Sequence, residues 1–122
     1  MGESWRVTHG PDIRTADVAD ALRRDGRAVA TWYDSDNGRS LAFVSNGSRA
    51  MVMLIDEPGD PGCHAIDPSA SDATSSGFVL ENGQEDTYAD ADTLPLAAAL
   101  EAAQQVLATG QLSRLVTWHE DR

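Results

Sequence analysis

Three Asn-Gly dipeptides constrain the fold of this chain more than any other feature of its sequence. They lie at residues 37–38, 46–47 and 82–83, between runs of apolar or alternating residues. Asn and Gly both tolerate the positive φ angles that tight hairpin turns require. In the run 41–45, Leu41 and Phe43 lie on one face of a strand. The pattern therefore predicts an antiparallel meander.

Two further segments define the middle of the predicted sheet. Ala50 to Ile55 are six consecutive apolar residues, which predicts a central strand covered on both faces. Residues 78–80 form another predicted strand, with residues 84–88 as its partner. The intervening residues 57–76 are rich in Pro, Gly, Ser and Asp, and they predict a long loop. Such a loop is either variable and disordered or a partner contact.

Helical periodicity appears near both ends of the chain. Residues 16–25 follow a possible N-cap at Thr15 and precede Gly26, which predicts a first helix. A second helix is predicted from an apolar stripe in the C-terminal block, followed by Gly110 as its left-handed end and a terminal strand through residues 115–118. The stripe consists of Leu96, Leu100, Ala103 and Leu107.

These elements predict an α+β fold in a single domain, residues 1–122. We expect an antiparallel meander of about five or six strands, one helix near each end and a C-terminal strand. The tryptophans Trp5, Trp32 and Trp118 are expected to fill the core.

The charge balance restricts the partners of this domain. Twenty acidic residues against nine basic ones give a net charge of −11, and all nine basic residues are arginine. This balance argues against direct binding to nucleic acid or an anionic membrane. It suits either plain solubility or attraction to a basic partner. The single cysteine and the absence of a secretion signal or a long apolar run predict a cytoplasmic protein.

The residues with catalytic or ligating chemistry form no recognisable constellation. Cys63 and His64 are adjacent, but no third group is implied that would orient a nucleophile and a base. The three histidines lack metal-ligand spacing, and a calcium loop starting at Asp34 fails because its twelfth position is Ser45. We therefore predict no catalytic residue, no metal and no cofactor.

The C-terminal block also carries a resemblance, together with several upstream segments. The matching positions are Leu94-Pro95, Leu107-Ala108-Thr109-Gly110, Val116, Trp118, Glu120, Tyr88, the run Gly77–Gly83 and Trp32-Tyr33-Asp34. In these positions the chain resembles the Imm-one family of bacterial immunity proteins over roughly residues 28–121. It departs from the family at residues 111–114, Gln-Leu-Ser-Arg, where relatives often carry Arg-Pro.

The resemblance implies a cytoplasmic immunity protein that binds a cognate polymorphic toxin domain and occludes its active site. Relatives are linked with deaminase toxins that act on nucleic acid, and also with nuclease toxins. Since such toxins need a basic groove, we expect acids at exposed turns to form the partner-binding surface. The candidates are Asp34, Asp36, Glu57, Asp60, Glu85 and Asp86. The alternatives are a secretion chaperone or adaptor, and a small enzyme using Cys63 with His64 or a carboxylate pair.

Overall fold

The computed structural model describes residues 3–15 and 30–121 of the chain. The helix predicted over residues 16–25 lies outside these described residues. Within them the chain forms nine strands and one α-helix. The elements are β1 (Trp5–His9), β2 (Ala30–Ser35), β3 (Ser40–Ser45), β4 (Arg49–Ile55), β5 (Cys63–Ile66), β6 (Thr74–Val79), β7 (Glu85–Ala89), β8 (Leu94–Pro95), α1 (Leu96–Thr109) and β9 (Thr117–Glu120).

The main sheet has the strand order β1-β2-β3-β4-β5-β9, with every neighbouring pair antiparallel. The two-residue strand β8 pairs with the beginning of β4. Strands β6 and β7 form a separate hairpin. The predicted meander and the C-terminal strand are therefore present, while the described residues contain more strands than the expected five or six.

The predicted C-terminal helix is confirmed as α1. Its apolar stripe, Leu96, Leu100, Ala103 and Leu107, is buried together with neighbouring alanines. The helix packs across β3 and β4 in the main hydrophobic core. Gly110 ends the helix with φ 73°, and its N–H donates to the carbonyl of Val106 at 2.7 Å. No helix in the described ranges is both long and apolar enough to cross a membrane.

Each Asn-Gly dipeptide lies in a hairpin connection, as predicted, and its glycine has a positive φ angle. The connections contain more than two residues, so they differ from the two-residue hairpin loops that Asn-Gly most often forms. In the β3–β4 connection, the Asn46 side chain accepts hydrogen bonds from the backbone N–H groups of Ser48 and Arg49, at 2.9 and 2.8 Å. The asparagine therefore orders the turn through its side chain.

The prediction of a long loop over residues 57–76 is wrong. Strand β5 lies in its middle and pairs with β4 on one side and β9 on the other. Strand β6 also begins inside it, at Thr74. Composition failed here because β5 has only four residues after a segment rich in Pro and Gly, and its partner β9 lies far along the chain.

The C-terminal strand has four residues, as many as predicted, but it lies two positions later and is mostly exposed. It begins at Thr117, and Leu115 before it is 75% exposed. Trp118 is half-buried against the core, and its Nε1–H donates to the carbonyl of Ser113 at 3.0 Å. Trp5 is buried in the core as expected, whereas Trp32 is half-buried outside that core cluster.

Candidate functional site

The main sheet has one covered face and one partly open face. Along β4, Ala50, Val52 and Leu54 are buried in the main core, while Met51 and Met53 alternate with them and are half-buried. Successive side chains of a strand point to opposite faces, so the methionines lie on the face away from α1. The predicted burial of β4 on both faces is therefore met only in part: Met51 and Met53 are half-buried, and among the described residues the β6–β7 hairpin covers part of this face.

The hairpin β6–β7 forms a partial layer over this face. Phe78 is fully buried in a second, smaller cluster with Ala30 and Val44, and its ring centroid lies 4.8 Å from that of Tyr88. A hydrogen bond joins the Asn46 side-chain amide to the carbonyl of Ser76 at 3.0 Å. This hairpin covers the sheet near one end of β3 and β4.

A row of residues crosses the same face beside this hairpin. Residues opposite each other on adjacent strands point to one side of a sheet. The register pairs successive members of the row across β2, β3, β4, β5 and β9, and we call the row the open face. Its members are Trp32, Ala42, Met53, His64 and His119. Trp32, Met53 and His64 are half-buried, and His119 is exposed.

A groove of about 300 Å³ lies where the open face meets the β6–β7 hairpin. Its lining consists of Met51, Met53, His64, Tyr88 and Asp92. The two thioether side chains and the Tyr88 ring give it an apolar wall, and His64 and Asp92 give it a polar end. Methionine side chains adapt their shape readily, and they are common at surfaces that bind other proteins.

Asp92 is positioned at the groove by a short 3-10 turn, Asp90–Asp92. The Arg49 guanidinium holds this turn: its Nη2 donates to the carbonyl of Asp90 at 3.1 Å and to Asp67 Oδ2 at 2.9 Å. Its Nε donates to Thr93 Oγ1 at 2.7 Å. A cation on β4 therefore fixes the segment that carries the groove's carboxylate.

His64 is held between two carboxylates. Its Nδ1 lies 2.8 Å from Asp121 Oδ2, and its Nε2 lies 3.0 Å from Asp92 Oδ1. Both ring nitrogens can donate only when the imidazole is protonated. Burial of the ring lowers the His64 pKa, but the hydrogen bonds and charges of Asp121 and Asp92 outweigh it and raise the pKa above its ordinary value. When protonated, His64 thus ties β5 to the 3-10 turn and to the residue after β9.

This arrangement predicts a pH-dependent contribution of His64 to stability. Because the folded-state pKa is raised, the contribution is fully present below the unfolded pKa of about 6.5 and is lost as the pH rises through the folded value. His64→Gln should therefore lower the free energy of unfolding more at about pH 5.5 than at about pH 9. Urea unfolding at both pH values measures the difference, with His9→Gln on β1 as the control. An equal loss at both pH values would contradict a charged clamp.

The six acids predicted to bind a partner occupy two separate regions. Asp34 and Asp36 lie at the β2–β3 end of the sheet, where Ser40 Oγ donates to Asp34 at 2.8 Å. Glu57 and Asp60 lie in the β4–β5 connection, and Pro58 of that connection lines a shared cavity with Asp34. The structure therefore brings these four acids to one end of the sheet.

Arginines also lie at that end. Arg6 on β1 is directly opposite Asp34, and Arg39 Nε contacts Asp56 Oδ1 at 3.2 Å. The acidity of this end is therefore partly offset, chiefly around Asp34. Asp36 and Glu57 are its exposed acids among the predicted four.

The other two predicted acids belong to the β6–β7 hairpin. Glu85 is exposed, while Asp86 accepts hydrogen bonds from the Gln84 side chain at 2.8 Å and from the Tyr88 hydroxyl at 3.3 Å. Asp86 is thus close to the groove through Tyr88, a position that the sequence pattern did not indicate.

Cys63 and His64 point to opposite faces of β5. Cys63 is buried in the main core, and His64 lies on the open face. A nucleophile and base need hydrogen-bond contact, which this arrangement does not give them. Within the part of the chain that the structure describes, no group of three or more His, Cys, Asp or Glu side chains could hold a metal ion.

The sequence pattern did not indicate Met51, Met53 or Asp92 as site residues, and it drew attention to His64 and Tyr88 for other reasons. Met51 and Met53 alternate with the core residues of β4 in the sequence. Because all of these residues are apolar, the hydrophobic pattern did not distinguish the two faces of the strand. Comparison of the sequence with known protein families and with curated proteins found no match.

Proposed function

We propose that this chain is an immunity protein that binds a cognate polymorphic toxin domain and blocks its active site. The family resemblance of the C-terminal block supports this function, and so does the chain's net charge of −11. In this proposal the protein acts in the cytoplasm of the cell that makes the toxin, and it carries out no chemistry of its own.

The observation that carries the proposal is the open face. The large side chains of Trp32, Met53 and His64 are partly exposed on this face of the sheet, beside a groove with an apolar wall. Apolar surface bordered by polar groups is typical of protein interaction sites, and tryptophan and methionine are enriched in interfaces. Carboxylates border this face: Glu81 accepts from Trp32 Nε1 at 3.0 Å, and Asp92 and Asp121 flank His64.

Charge and shape together suit a toxin that acts on nucleic acid. Such a toxin must present a basic groove to bind phosphates. An acidic protein seated in that groove competes with the phosphates and excludes the substrate. A nucleic-acid deaminase is the proposed target, and a nuclease is the alternative with the same charge requirement.

Titration of the toxin tests the proposal directly. The proposal predicts a toxin domain encoded by the gene immediately upstream. This domain would be purified and titrated with the protein while deamination of single-stranded and double-stranded DNA and RNA is measured. A blocking partner should abolish activity at about one equivalent, with a stable complex on size-exclusion chromatography. Nuclease activity that is abolished in the same way would assign the alternative target.

The same titration separates the other classes of function. Loss of toxin activity at well below one equivalent would indicate an enzyme, and Cys63→Ala with His64→Ala would then identify its residues. A complex that keeps full toxin activity would indicate a secretion chaperone or adaptor. Absence of any complex would reject the immunity function.

A further inference from the structure

We propose that the groove between Met51, Met53 and Tyr88 binds an arginine side chain presented by the protein partner. This inference rests on the proposed function, because it specifies which kind of toxin side chain binds at the open face. It follows from the groove's size, its charge and the geometry of its lining.

The size of the groove fits one long side chain. Its volume of about 300 Å³ is at the lower limit of small-molecule sites, and it is open on one side. Met51 and Met53 supply an apolar wall along which an alkyl stem can lie, as the stems of long cationic residues do on apolar surfaces. The polar end, Asp92, then meets the charged head.

The charge of the groove favours a cation. With His64 protonated between its two carboxylates, the group of Asp92, His64 and Asp121 keeps a net charge of −1, and with His64 neutral its net charge is −2. The Asp92 side chain is 53% exposed and keeps surface available for a second donor. Among the residues that the structure describes, no arginine contributes to the lining, and Arg39 and Arg49 are held in ion pairs with Glu3 and Asp67.

Tyr88, which also lines the groove, lies in a negative electrostatic field as well. Burial, followed by the negative charges of Asp86 and Glu81, raises the pKa of its hydroxyl to about 12. Its ring therefore stays neutral at physiological pH and lies beside two carboxylates. A cation over such a ring is attracted both by the ring and by the acids around it.

Arginine fits this lining better than the other possible occupants. Its planar guanidinium stacks on an aromatic ring and donates to a carboxylate in a fixed fork, whereas a lysine ammonium is a strongly hydrated point charge. A purely apolar side chain would remove water from Asp92 without replacing its hydrogen bonds, which is unfavourable. A carboxylate would face the net negative charge of the group around His64.

Capped amino acids test the groove without a toxin. The full-length protein, labelled with ¹³C at its methionine methyl groups, would be titrated with N-acetyl-arginine methylamide and with the isosteric, uncharged citrulline derivative. We expect saturable shifts of the Met51 and Met53 methyl signals with arginine and much smaller shifts with citrulline. Equal shifts with both compounds, or none at these methyl groups, would overturn the proposal.

Two variants that each remove one negative charge test whether arginine binding depends on the groove itself. Asp92→Asn keeps an acceptor for His64 and should weaken arginine binding roughly two- to fivefold, the range for an exposed ion pair. Glu101→Gln removes the same charge from the exposed side of α1 and should leave binding unchanged. Equal weakening by both variants would mean that arginine follows the general acidity of the surface, and the proposal would be wrong.

The toxin complex distinguishes this inference from the proposed function. Met53→Arg would fill the groove with the protein's own cation, and we expect it to weaken toxin binding at least as much as Asp92→Asn. Neutralisation of the toxin with undiminished affinity in both variants would reject the groove while leaving the immunity function intact. Saturable arginine binding by a protein that fails to bind the toxin would reject the immunity function alone.

Discussion

Gly62→Ala should lower the free energy of unfolding by about 2–5 kcal/mol, the sum of a left-handed backbone penalty and an overpacking penalty. Gly62 has φ +80°, and a Cβ atom there would lie 2.4 Å from the carbonyl oxygen of Leu54. That oxygen belongs to β4, so the clash cannot be relieved by moving a flexible side chain. For a domain whose total stability is about 5–15 kcal/mol, this loss is severe.

The substitution at Gly62 should also disturb the C-terminal segment, because Gly62 is hydrogen-bonded to it. Its carbonyl accepts a hydrogen bond from the backbone N–H of Asp121 at 2.9 Å. Asp121 also binds His64, so a shift of Gly62 disturbs the attachment of the C-terminal segment to β5. We expect the variant to lose the ordered end of β9 before the rest of the sheet unfolds, measured as faster amide exchange there.

Gly59→Ala is the matched control for this prediction. Gly59 lies in the same β4–β5 connection with φ +84°, but no atom lies within 4 Å of the position of its added Cβ. It should therefore cost only the backbone penalty of about 1–2 kcal/mol. Urea unfolding of both variants measures the difference. Equal destabilisation would show that β4 and β5 can separate enough to accept the side chain.

The parts of the fold that sequence predicts well are those specified by nearby residues. Helix α1 combines an apolar stripe with Gly110 at its end, and both signals lie within one segment. The Asn-Gly connections likewise carry their own turn chemistry, as the Asn46 side chain illustrates. Local signals of this kind are sufficient because they need no distant partner.

Strand β5 illustrates what the sequence leaves open. Its four residues, Cys63–Ile66, are stabilised by β4 on one side and by β9 on the other. Neither pairing is visible in the composition of the segment, which Pro and Gly dominate on the preceding side. The exposure of Met51 and Met53 is also a tertiary property, because it depends on how much of the sheet the β6–β7 hairpin covers.

The sequence pointed to acidic residues as the partner-binding surface and gave no indication of the groove. Exposed acids at turns were sufficient to suggest a basic partner, and Asp86 among them lies near the groove. The groove itself combines residues from β4, β5, β7 and the 3-10 turn. The pairing of Met53 with His64 joins β4 to β5, while Arg49 holds the 3-10 turn and Phe78 packs the β6–β7 hairpin against the sheet.

The rate at which this protein associates with its toxin should fall markedly with added salt. Electrostatic attraction between oppositely charged proteins raises association rates by about 10- to 1,000-fold, and salt screens it as the Debye length shortens from about 30 Å at 0.01 M to about 10 Å at 0.1 M. The net charge of −11 places this protein in that regime if its partner presents a basic groove. Dissociation should change less, because contacts at short range dominate it.

Neutralising four acids at one end of the sheet should reduce this salt dependence. The substitutions are Asp34→Asn, Asp36→Asn, Glu57→Gln and Asp60→Asn, which keep the hydrogen-bond acceptors of the side chains. Stopped-flow association with the toxin domain at several salt concentrations measures the slope of rate against ionic strength. We expect a shallower slope and a slower association at low salt, with dissociation nearly unchanged.

Two double variants, each lacking two acids, test whether the salt dependence of association depends on the position of the acids. Asp36→Asn with Glu57→Gln removes two exposed acids from the predicted end, and Asp72→Asn with Glu101→Gln removes two exposed acids outside the predicted set. The first pair should flatten the salt dependence more than the second, because steering is strongest for charges that face the approaching partner. Equal effects would mean that net charge alone guides association. An association rate independent of salt would exclude the competition with phosphates for a basic groove, and binding would then depend on the apolar surface around Trp32 and Met53.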